Sequence, residues 1–136
     1  MRKIQLGIIG CGMIGQAFIK NALKNPYFEF KGFYDRNVSS QQSVQQIAPH
    51  AHLFSSQQEL VQSADIEALI ICTRHVDHAR QAIEGITYGK HILIEKPIAT
   101  SLEELSLLIK AQQEHPECVI TALPHGQEPI LKEAKQ

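Results

Sequence analysis

The sequence predicts an α/β fold: a doubly wound, mainly parallel sheet of about six strands in the order 3-2-1-4-5-6, with helices on both faces. Strand-like and helix-like segments alternate from end to end. The strand segments are mostly continuous runs of Ile, Leu, Val and Phe, as expected for strands covered on both faces. A glycine-rich turn joins the first strand to the first helix, and 136 residues suffice for one domain.

Six segments have the composition of strands, and five helix-period segments lie between them. The predicted strands are residues 3–9, 28–35, 52–54, 68–73, 91–95 and 118–123, and the predicted helices are residues 13–24, 40–47, 57–63, 76–88 and 102–114. Ser56 with Glu59 and Ser101 with Glu104 have capping-box spacing, which fixes two helix starts. Three prolines end helices: Pro26, Pro49 and Pro116.

The turn Gly10-Cys11-Gly12-Met13-Ile14-Gly15 matches the dinucleotide fingerprint of a Rossmann-type fold, because it follows an apolar strand and opens an amphipathic helix. Gly10 permits the tight turn, Gly12 lets the backbone approach a pyrophosphate, and Gly15 allows close packing of helix on strand. The unpaired N–H groups at the helix start, around Met13 and Ile14, are expected to hold the phosphate.

Asp35 closes the second strand, about 20 residues beyond Gly15, where the fingerprint places an acid for the ribose 2′-hydroxyl. A carboxylate there repels a 2′-phosphate, so the sequence favours NAD over NADP. The adjacent Arg36 can pair with a phosphate, which leaves NADP possible. The alternative interpretation is a surface turn that Asp35 caps.

The composition is that of an ordinary soluble protein, with 43% hydrophobic residues and a formal charge of −1. Without an excess of positive charge, nucleic acid is not an expected partner. No apolar run approaches the ~20 residues needed to span a bilayer, and the start of the chain lacks a signal-peptide cleavage pattern. We therefore expect a cytoplasmic protein without membrane association.

The three cysteines, Cys11, Cys72 and Cys118, are widely spaced and form no C-x-x-C pair, which fits a reducing compartment. Cys11 has two interpretations. It is a small residue that fits the loop, or a redox-sensitive thiol whose pKa a helix N-terminus lowers. The first is favoured.

Beyond the glycine turn, three further motifs are too specific a combination to arise from composition alone. They are Thr73-Arg74-His75-Val76-Asp77-His78, Gly89-Lys90-His91 and Glu95-Lys96-Pro97. With these motifs the chain resembles, from about residue 3 to about residue 123, the N-terminal NAD(P)-binding domain of the glucose-fructose oxidoreductase / inositol dehydrogenase (Gfo/Idh/MocA) family. Members of that family oxidise or reduce sugars, polyols and related compounds with nicotinamide cofactors.

The resemblance implies a catalytic position for Lys96, which matches the lysine of the family's Glu-Lys-Pro motif beside the nicotinamide and substrate; Glu95 and Pro97 complete the motif. An ammonium at the carboxyl end of a central parallel strand faces the ligand crevice and can polarise a substrate oxygen. A cis bond before Pro97 is predicted. The alternative is a snorkelling surface lysine.

Thr73 and His78 match the threonine and histidine of the family's Thr-Pro-Asn-x-x-His segment, so the resemblance implies that this loop binds the cofactor. Arg74 and His75 replace the usual Pro and Asn, and Arg74 supplies a donor without the rigid turn. His75 and His78, three residues apart, could also pair on a metal, but no third ligand is apparent and no metal site is expected.

The family continues into a large α+β domain that carries the substrate pocket, whereas this chain ends at Gln136. We therefore expect residues 1–123 to form the NAD(P)-binding domain, and residues 124–136 to be the remnant of a crossing helix toward an absent substrate domain. The family's Asn-x-Arg is replaced by Pro124-His125-Gly126, with Pro129 following. The expected function is cofactor binding for an oxidoreductase, with little turnover alone. The alternative is a stand-alone nucleotide-binding or redox-regulatory module that pairs with itself or a separately encoded partner.

Overall fold

The computed structural model describes residues 2–123, which form a six-stranded parallel sheet in the order β3-β2-β1-β4-β5-β6. The elements in chain order are β1 (Ile4–Ile9), α1 (Met13–Lys24), β2 (Phe28–Tyr34), α2 (Val38–Ile47), β3 (His52–Leu53), α3 (Gln57–Gln62), β4 (Ala68–Ile71), α4 (His78–Thr87), β5 (His91–Glu95), α5 (Leu102–Glu114) and β6 (Ile120–Leu123). The predicted fold class and strand order are confirmed. Residues 124–136, with the predicted crossing-helix remnant, lie outside the described residues.

The first strand lies at the centre of the sheet. Ile8 of β1 is in register with Phe33 of β2 on one side and with Ile70 of β4 on the other. Because all three strands run parallel, their carboxyl ends meet at one edge, at the point where the strand order reverses. Ligands of open α/β sheets bind in the crevice at such a point.

Apolar side chains fill both faces of the central strands, and they form two buried clusters. Alternate residues of β4 belong to different clusters: Ala68 and Ile70 to one, Leu69 and Ile71 to the other. Successive side chains of a strand point to opposite faces, so a strand covered on both sides must be apolar throughout. The continuous apolar runs that predicted the sheet have this physical origin.

Several element boundaries differ from the prediction. Helix α2 begins at Val38 rather than at residue 40, because the Asn37 side chain accepts a hydrogen bond from the Ser40 amide and caps the helix. The predicted helix 76–88 divides into a short 3₁₀ turn, His75–Asp77, followed by α4.

Strands β4 and β6 are shorter than predicted. Strand β4 ends at Ile71 because its neighbour β1 ends at Ile9. The Cys72 amide still donates to the Ile9 carbonyl, but beyond Ile9 the backbone of the first strand turns away at Gly10 and offers no further partner. Strand β6 begins at Ile120 rather than at residue 118. Within residues 2–123, no helix has the length and apolar character needed to cross a membrane.

The two predicted capping boxes begin α3 and α5 in the same way. In α5, the Ser101 hydroxyl oxygen accepts from the Glu104 amide at 3.1 Å, and Glu104 Oε1 accepts from both the amide and the hydroxyl of Thr100 at 2.7 Å. The Glu104 side chain therefore hydrogen-bonds Thr100, the residue before the N-cap Ser101. The hydrogen bonds from the Thr100 hydroxyl and amide hold the pKa of Glu104 below its usual value.

This capping contact predicts a pH-dependent difference in stability. Because the folded-state pKa of Glu104 is lowered, its contribution is present above the unfolded pKa of about 4.5 and is lost as the pH falls through the folded value. Glu104→Gln is expected to lower the melting temperature slightly at pH 7, and the difference from wild type should close on acidification to about pH 3.

Glu103→Gln is the matched control for this prediction, since Glu103 lies exposed in the same helical turn. Thermal unfolding followed by circular dichroism measures the effect. A gap between wild type and Glu104→Gln that stays constant from pH 7 to about pH 3, or an equal loss in both variants, would contradict the assignment.

Candidate functional site

A cavity of about 460 Å³ opens at the edge where β1, β2 and β4 end. Twelve residues line it: Ile9, Gly10, Tyr34, Asp35, Arg36, Gln57, Cys72, Thr73, Arg74, Asp77, Arg80 and Gln81. Five of these were candidate binding residues in the sequence: Gly10, Asp35, Arg36, Thr73 and Arg74. The cavity therefore lies in the crevice that the strand order predicts.

Gly10 and Gly15 permit a close meeting of three backbone segments. Gly10 has a φ of +92°, and a Cβ there would lie 2.5 Å from the Cys72 carbonyl carbon and 2.8 Å from the Thr73 nitrogen. A Cβ on Gly15 would strike the Gly10 carbonyl oxygen. Any side chain at either position would therefore push the turn away from β4 or from α1.

Gly12 has the opposite surroundings. Apart from Gly12 itself and its chain neighbours, no atom lies within 4 Å of the place where its Cβ would stand, so its outer face is open. Gly12 is also the N-cap of α1, no side chain caps this helix, and no acid lies in its first turn. The first amides of a helix have no partner within the helix, so those of Met13, Ile14 and Gly15 suit an anion.

Asp35 is fixed by two backbone amides. One carboxylate oxygen accepts from the Cys11 amide at 2.6 Å and the other from the Asn37 amide at 2.7 Å. The carboxylate thereby joins the glycine turn to the end of β2. A carboxylate has about four acceptor positions, so lone pairs are left for ligand hydroxyls.

Cys11 lies fully buried beneath this contact. Burial, with the Asp35 charge as a smaller cause, raises the pKa of its thiol far above the usual value. The interpretation of Cys11 as a low-pKa redox thiol is therefore wrong, since burial outweighs the helix N-terminus. The alternative, a small residue that fits the loop, agrees with its position in the core cluster.

Charged side chains surround the mouth of the cavity. Asp77 pairs with both Arg74, at 3.2 Å, and Arg80, at 3.1 Å. Burial by itself would raise the pKa of Asp77, but the hydrogen bonds from Arg80 and Arg74 outweigh it and hold the pKa below its usual value. Arg36 is exposed and makes no ion pair within residues 2–123.

His78 ties the loop after β4 to the loop after β5. It is fully buried, and its ring nitrogens lie 2.8 Å from the Pro97 carbonyl oxygen and 3.0 Å from the Thr73 carbonyl oxygen. Both nitrogens thus face the backbone, while His75 packs edge-on against the ring. In the part of the chain that the structure describes, no three or more His, Cys, Asp or Glu side chains are grouped to hold a metal ion.

The Glu95-Lys96-Pro97 motif lies at the end of β5, outside the cavity that Asp35 lines. Glu95 is buried and Lys96 is exposed. The Lys96–Pro97 peptide bond is cis, in agreement with the sequence prediction. The candidate residues therefore fall into three places: the cavity wall, the start of α1 with Gly12, Met13, Ile14 and Gly15, and the end of β5. His78 connects the loop after β4 to the end of β5.

Sequence reasoning missed seven of the twelve residues of the cavity wall. Three lie at strand ends, Ile9, Tyr34 and Cys72, and four lie on or beside helices α3 and α4, Gln57, Asp77, Arg80 and Gln81. Gln81 carried a recognisable signal, because it is a polar residue on the buried face of α4 among Ala79, Ala82 and Ile86. Gln57 is the first residue of α3 and follows a strand end. Its place in the cavity depends on how α3 packs beside α4, which no local pattern specifies.

Comparison with known proteins decides the family. A sequence model described as "Oxidoreductase family, NAD-binding Rossmann fold" matches residues 4–123. The chain belongs to this Gfo/Idh/MocA family. The resemblance read from the motifs is confirmed, and so is the nicotinamide dinucleotide as the cofactor class of the family.

Two curated relatives of this Gfo/Idh/MocA domain come from Bacillus subtilis (strain 168). The uncharacterized oxidoreductase YrbE is 32% identical over 114 residues, which cover 84% of this chain and 33% of YrbE. The scyllo-inositol 2-dehydrogenase (NADP(+)) IolU is 30% identical over 135 residues, 98% of this chain and 40% of IolU. The chain thus spans between a third and two fifths of the length of these relatives.

Solved structures share the fold of this domain. The scyllo-inositol dehydrogenase of Lactobacillus casei, with bound cofactor NAD(H) and scyllo-inositol, has a TM-score of 0.83 at 23% identity, over 89% of this chain and 36% of that one. The 3-ketoreductase KijD10 of Actinomadura kijaniata, in complex with NADP, has a TM-score of 0.80 at 22% identity, over 89% of this chain and 37% of that one. At this identity the likeness concerns the fold.

Two alanine substitutions separate the roles of the glycines. Gly15→Ala is expected to cost about 1–3 kcal/mol of folding stability, because the new Cβ meets the Gly10 carbonyl. Gly12→Ala is expected to cost less than about 1 kcal/mol, since its surroundings are open and only the N-cap preference changes. Urea denaturation measures both. Equal losses, or a larger loss at Gly12, would show that the turn is packed differently.

Proposed function

We propose that residues 1–123 are the cofactor domain of an oxidoreductase that acts on a sugar, a polyol or a related compound, and that the chain binds NAD(H). The observation that carries this proposal is the pairing of an uncapped helix start at Gly12 with the fixed carboxylate of Asp35 beside one cavity. The two features have complementary chemistry: the helix amides attract phosphates, and the acid accepts from ribose hydroxyls.

The residues present fit a dinucleotide. The open face of Gly12 leaves room for the pyrophosphate against the amides of Met13 and Ile14, and Asp35 retains acceptor capacity for the ribose. When bound, the cofactor supplies hydride acceptance or donation. Lys96, exposed at the carboxyl end of β5, is the residue we assign to the substrate oxygen, where its ammonium stabilises negative charge.

We infer a preference for NAD over NADP. The Asp35 carboxylate is held in place by two amides and cannot swing away from a 2′-phosphate. Arg36 lies on the same cavity wall and offers a cation to that phosphate, so NADP binds more weakly rather than not at all.

Cofactor titrations test this preference. The dissociation constant for NADPH should exceed that for NADH. Asp35→Asn should reduce the ratio of the NADPH constant to the NADH constant about tenfold, because it removes one like-charge repulsion of about 1.4 kcal/mol. Asp65→Asn, at an exposed position away from the cavity, is the matched control. Failure of wild type to bind either cofactor would refute the proposed function; an unchanged ratio would refute the role of Asp35.

We further propose that this chain alone has little turnover. Lys96 is the one group assigned to the reaction within residues 2–123, and the relatives carry more than half of their length beyond the matched region. Hydride transfer needs a group that holds the substrate and a group that takes its proton. Incubation with NAD and inositol should therefore produce almost no NADH, although the same sample binds NADH. Sustained NADH production would contradict this inference.

The second candidate function, a nucleotide-binding module that pairs with itself, is favoured by one observation. An apolar groove of about 490 Å³ runs between α5 and β6, and β6 is an edge of the described sheet. A second copy of the chain would cover apolar residues such as Leu105, Ile109 and Val119. Light scattering distinguishes the candidates: a stable dimer that binds NADH favours the module, and a monomer favours the cofactor domain.

We infer a cytoplasmic location. All three cysteines, Cys11, Cys72 and Cys118, are unpaired, which supports a reducing compartment. Burial also raises the pKa of Cys72 to about 12, so its thiol is protected from reaction at neutral pH.

A further inference from the structure

Four polar side chains form a continuous hydrogen-bond network, and three of them, Thr73, Gln81 and Gln57, line the cavity. The Thr73 hydroxyl bonds Oε1 of Gln81, Gln81 Nε2 donates to Gln57 Oε1 at 2.9 Å, and Gln57 Nε2 reaches Glu84 Oε2 at 3.5 Å. Gln81 is only 3% exposed, so both ends of its amide depend on these partners. This hydrogen-bond network joins the loop after β4 to α4 and to the start of α3.

The donor and acceptor of every hydrogen bond in this network follow from Glu84, the residue at its end. An ionised carboxylate only accepts hydrogen bonds, so the Gln57 amide must turn its NH₂ group toward Glu84 and its oxygen toward Gln81. Gln81 must then point its own NH₂ at Gln57 and its oxygen at Thr73. The single hydroxyl proton of Thr73 is therefore donated to Gln81. If the two glutamine amides were turned the other way, two acceptors, Gln57 Oε1 and the Glu84 carboxylate, would face each other.

This order determines what Thr73 offers to a ligand. Thr73 is one of the residues that line the cavity, and its backbone adjoins the positive-φ turn at Gly10. Because the hydroxyl proton of Thr73 is donated to Gln81, the Thr73 oxygen can act toward a ligand only as a hydrogen-bond acceptor.

We propose that Gln81 is a positioning residue that holds Thr73 as an obligate hydrogen-bond acceptor for a donor group of the bound dinucleotide. The proposal rests on the proposed function, because the donor is a hydroxyl or an amide N–H of the cofactor. Glu84 acts through the same network, since its carboxylate sets the direction in which the two glutamine amides point. Glu84 is not a lining residue of the cavity, and Gln81, although part of the wall, is assigned its effect through Thr73.

A double-mutant cycle on NADH affinity tests this assignment with the full 136-residue chain. Thr73→Val keeps the shape of the side chain and removes the hydroxyl, and Gln81→Met keeps the length and removes the amide. Each single variant should weaken NADH binding about fivefold, the value of one hydrogen bond. The double variant should be no weaker than Thr73→Val alone, because Gln81 acts only through Thr73.

Glu84→Gln provides a second route if Gln81→Met fails to fold, because Glu84 is only half-buried. Removing the carboxylate frees the amides to invert, so NADH binding should weaken about twofold to fivefold in the wild-type background and remain unchanged in the Thr73→Val background. Glu103→Gln on α5 is the matched control for the loss of one negative charge. Circular dichroism and thermal unfolding establish that each variant used is folded.

The outcomes distinguish this proposal from the one on which it rests. If wild type binds NADH and the Gln81 or Glu84 substitutions weaken binding equally with and without the Thr73 hydroxyl, the positioning role is overturned and the proposed function stands. Unchanged affinity in Thr73→Val also overturns it. Absence of NADH binding by the folded wild-type chain overturns both.

Discussion

The site depends on a close meeting of backbones at the end of β1. The turn at Gly10 passes against the carbonyl of Cys72, and the carbonyl of Gly10 in turn lies against Gly15 of α1. These contacts leave no space for a Cβ at Gly10 or Gly15, and they bring the start of α1 directly over the sheet edge. Because β1 lies between β2 and β4, the same contacts place the helix amides beside the ends of three strands.

Charge and hydrogen bonding then give this edge its chemistry. Asp35 links the glycine turn to β2 through two backbone amides and keeps acceptor capacity for a ligand. The helix start carries unpaired donors and no competing acid. Asp77 pairs with both Arg74 and Arg80, and all three residues line the cavity. This edge of the sheet therefore places backbone donors at the start of α1 near a carboxylate acceptor in the cavity wall, the two features on which the proposed cofactor site rests.

The sequence predicted the parts of the protein that short-range physics determines. Alternating apolar segments specified the sheet, and Asp35, about 20 residues beyond Gly15, stood where the dinucleotide fingerprint expects an acid. Gln57 and Gln81 escaped prediction, because their contact requires α3 and α4 to pack together. The low-pKa interpretation of Cys11 failed for a related reason: the helix dipole is a local feature, whereas the burial that raises the pKa comes from the folded core.

Amide chemical-shift mapping tests the central claim most directly. When a ¹⁵N-labelled sample of the chain is titrated with NADH, saturable shifts are expected, concentrated at Gly12, Met13, Ile14 and Asp35. The amide of Lys90, which precedes the amino end of β5, should not move. Shifts centred on the amino-terminal edge of the sheet, or none at the glycine turn in a folded sample, would contradict the assignment of this edge as the cofactor site.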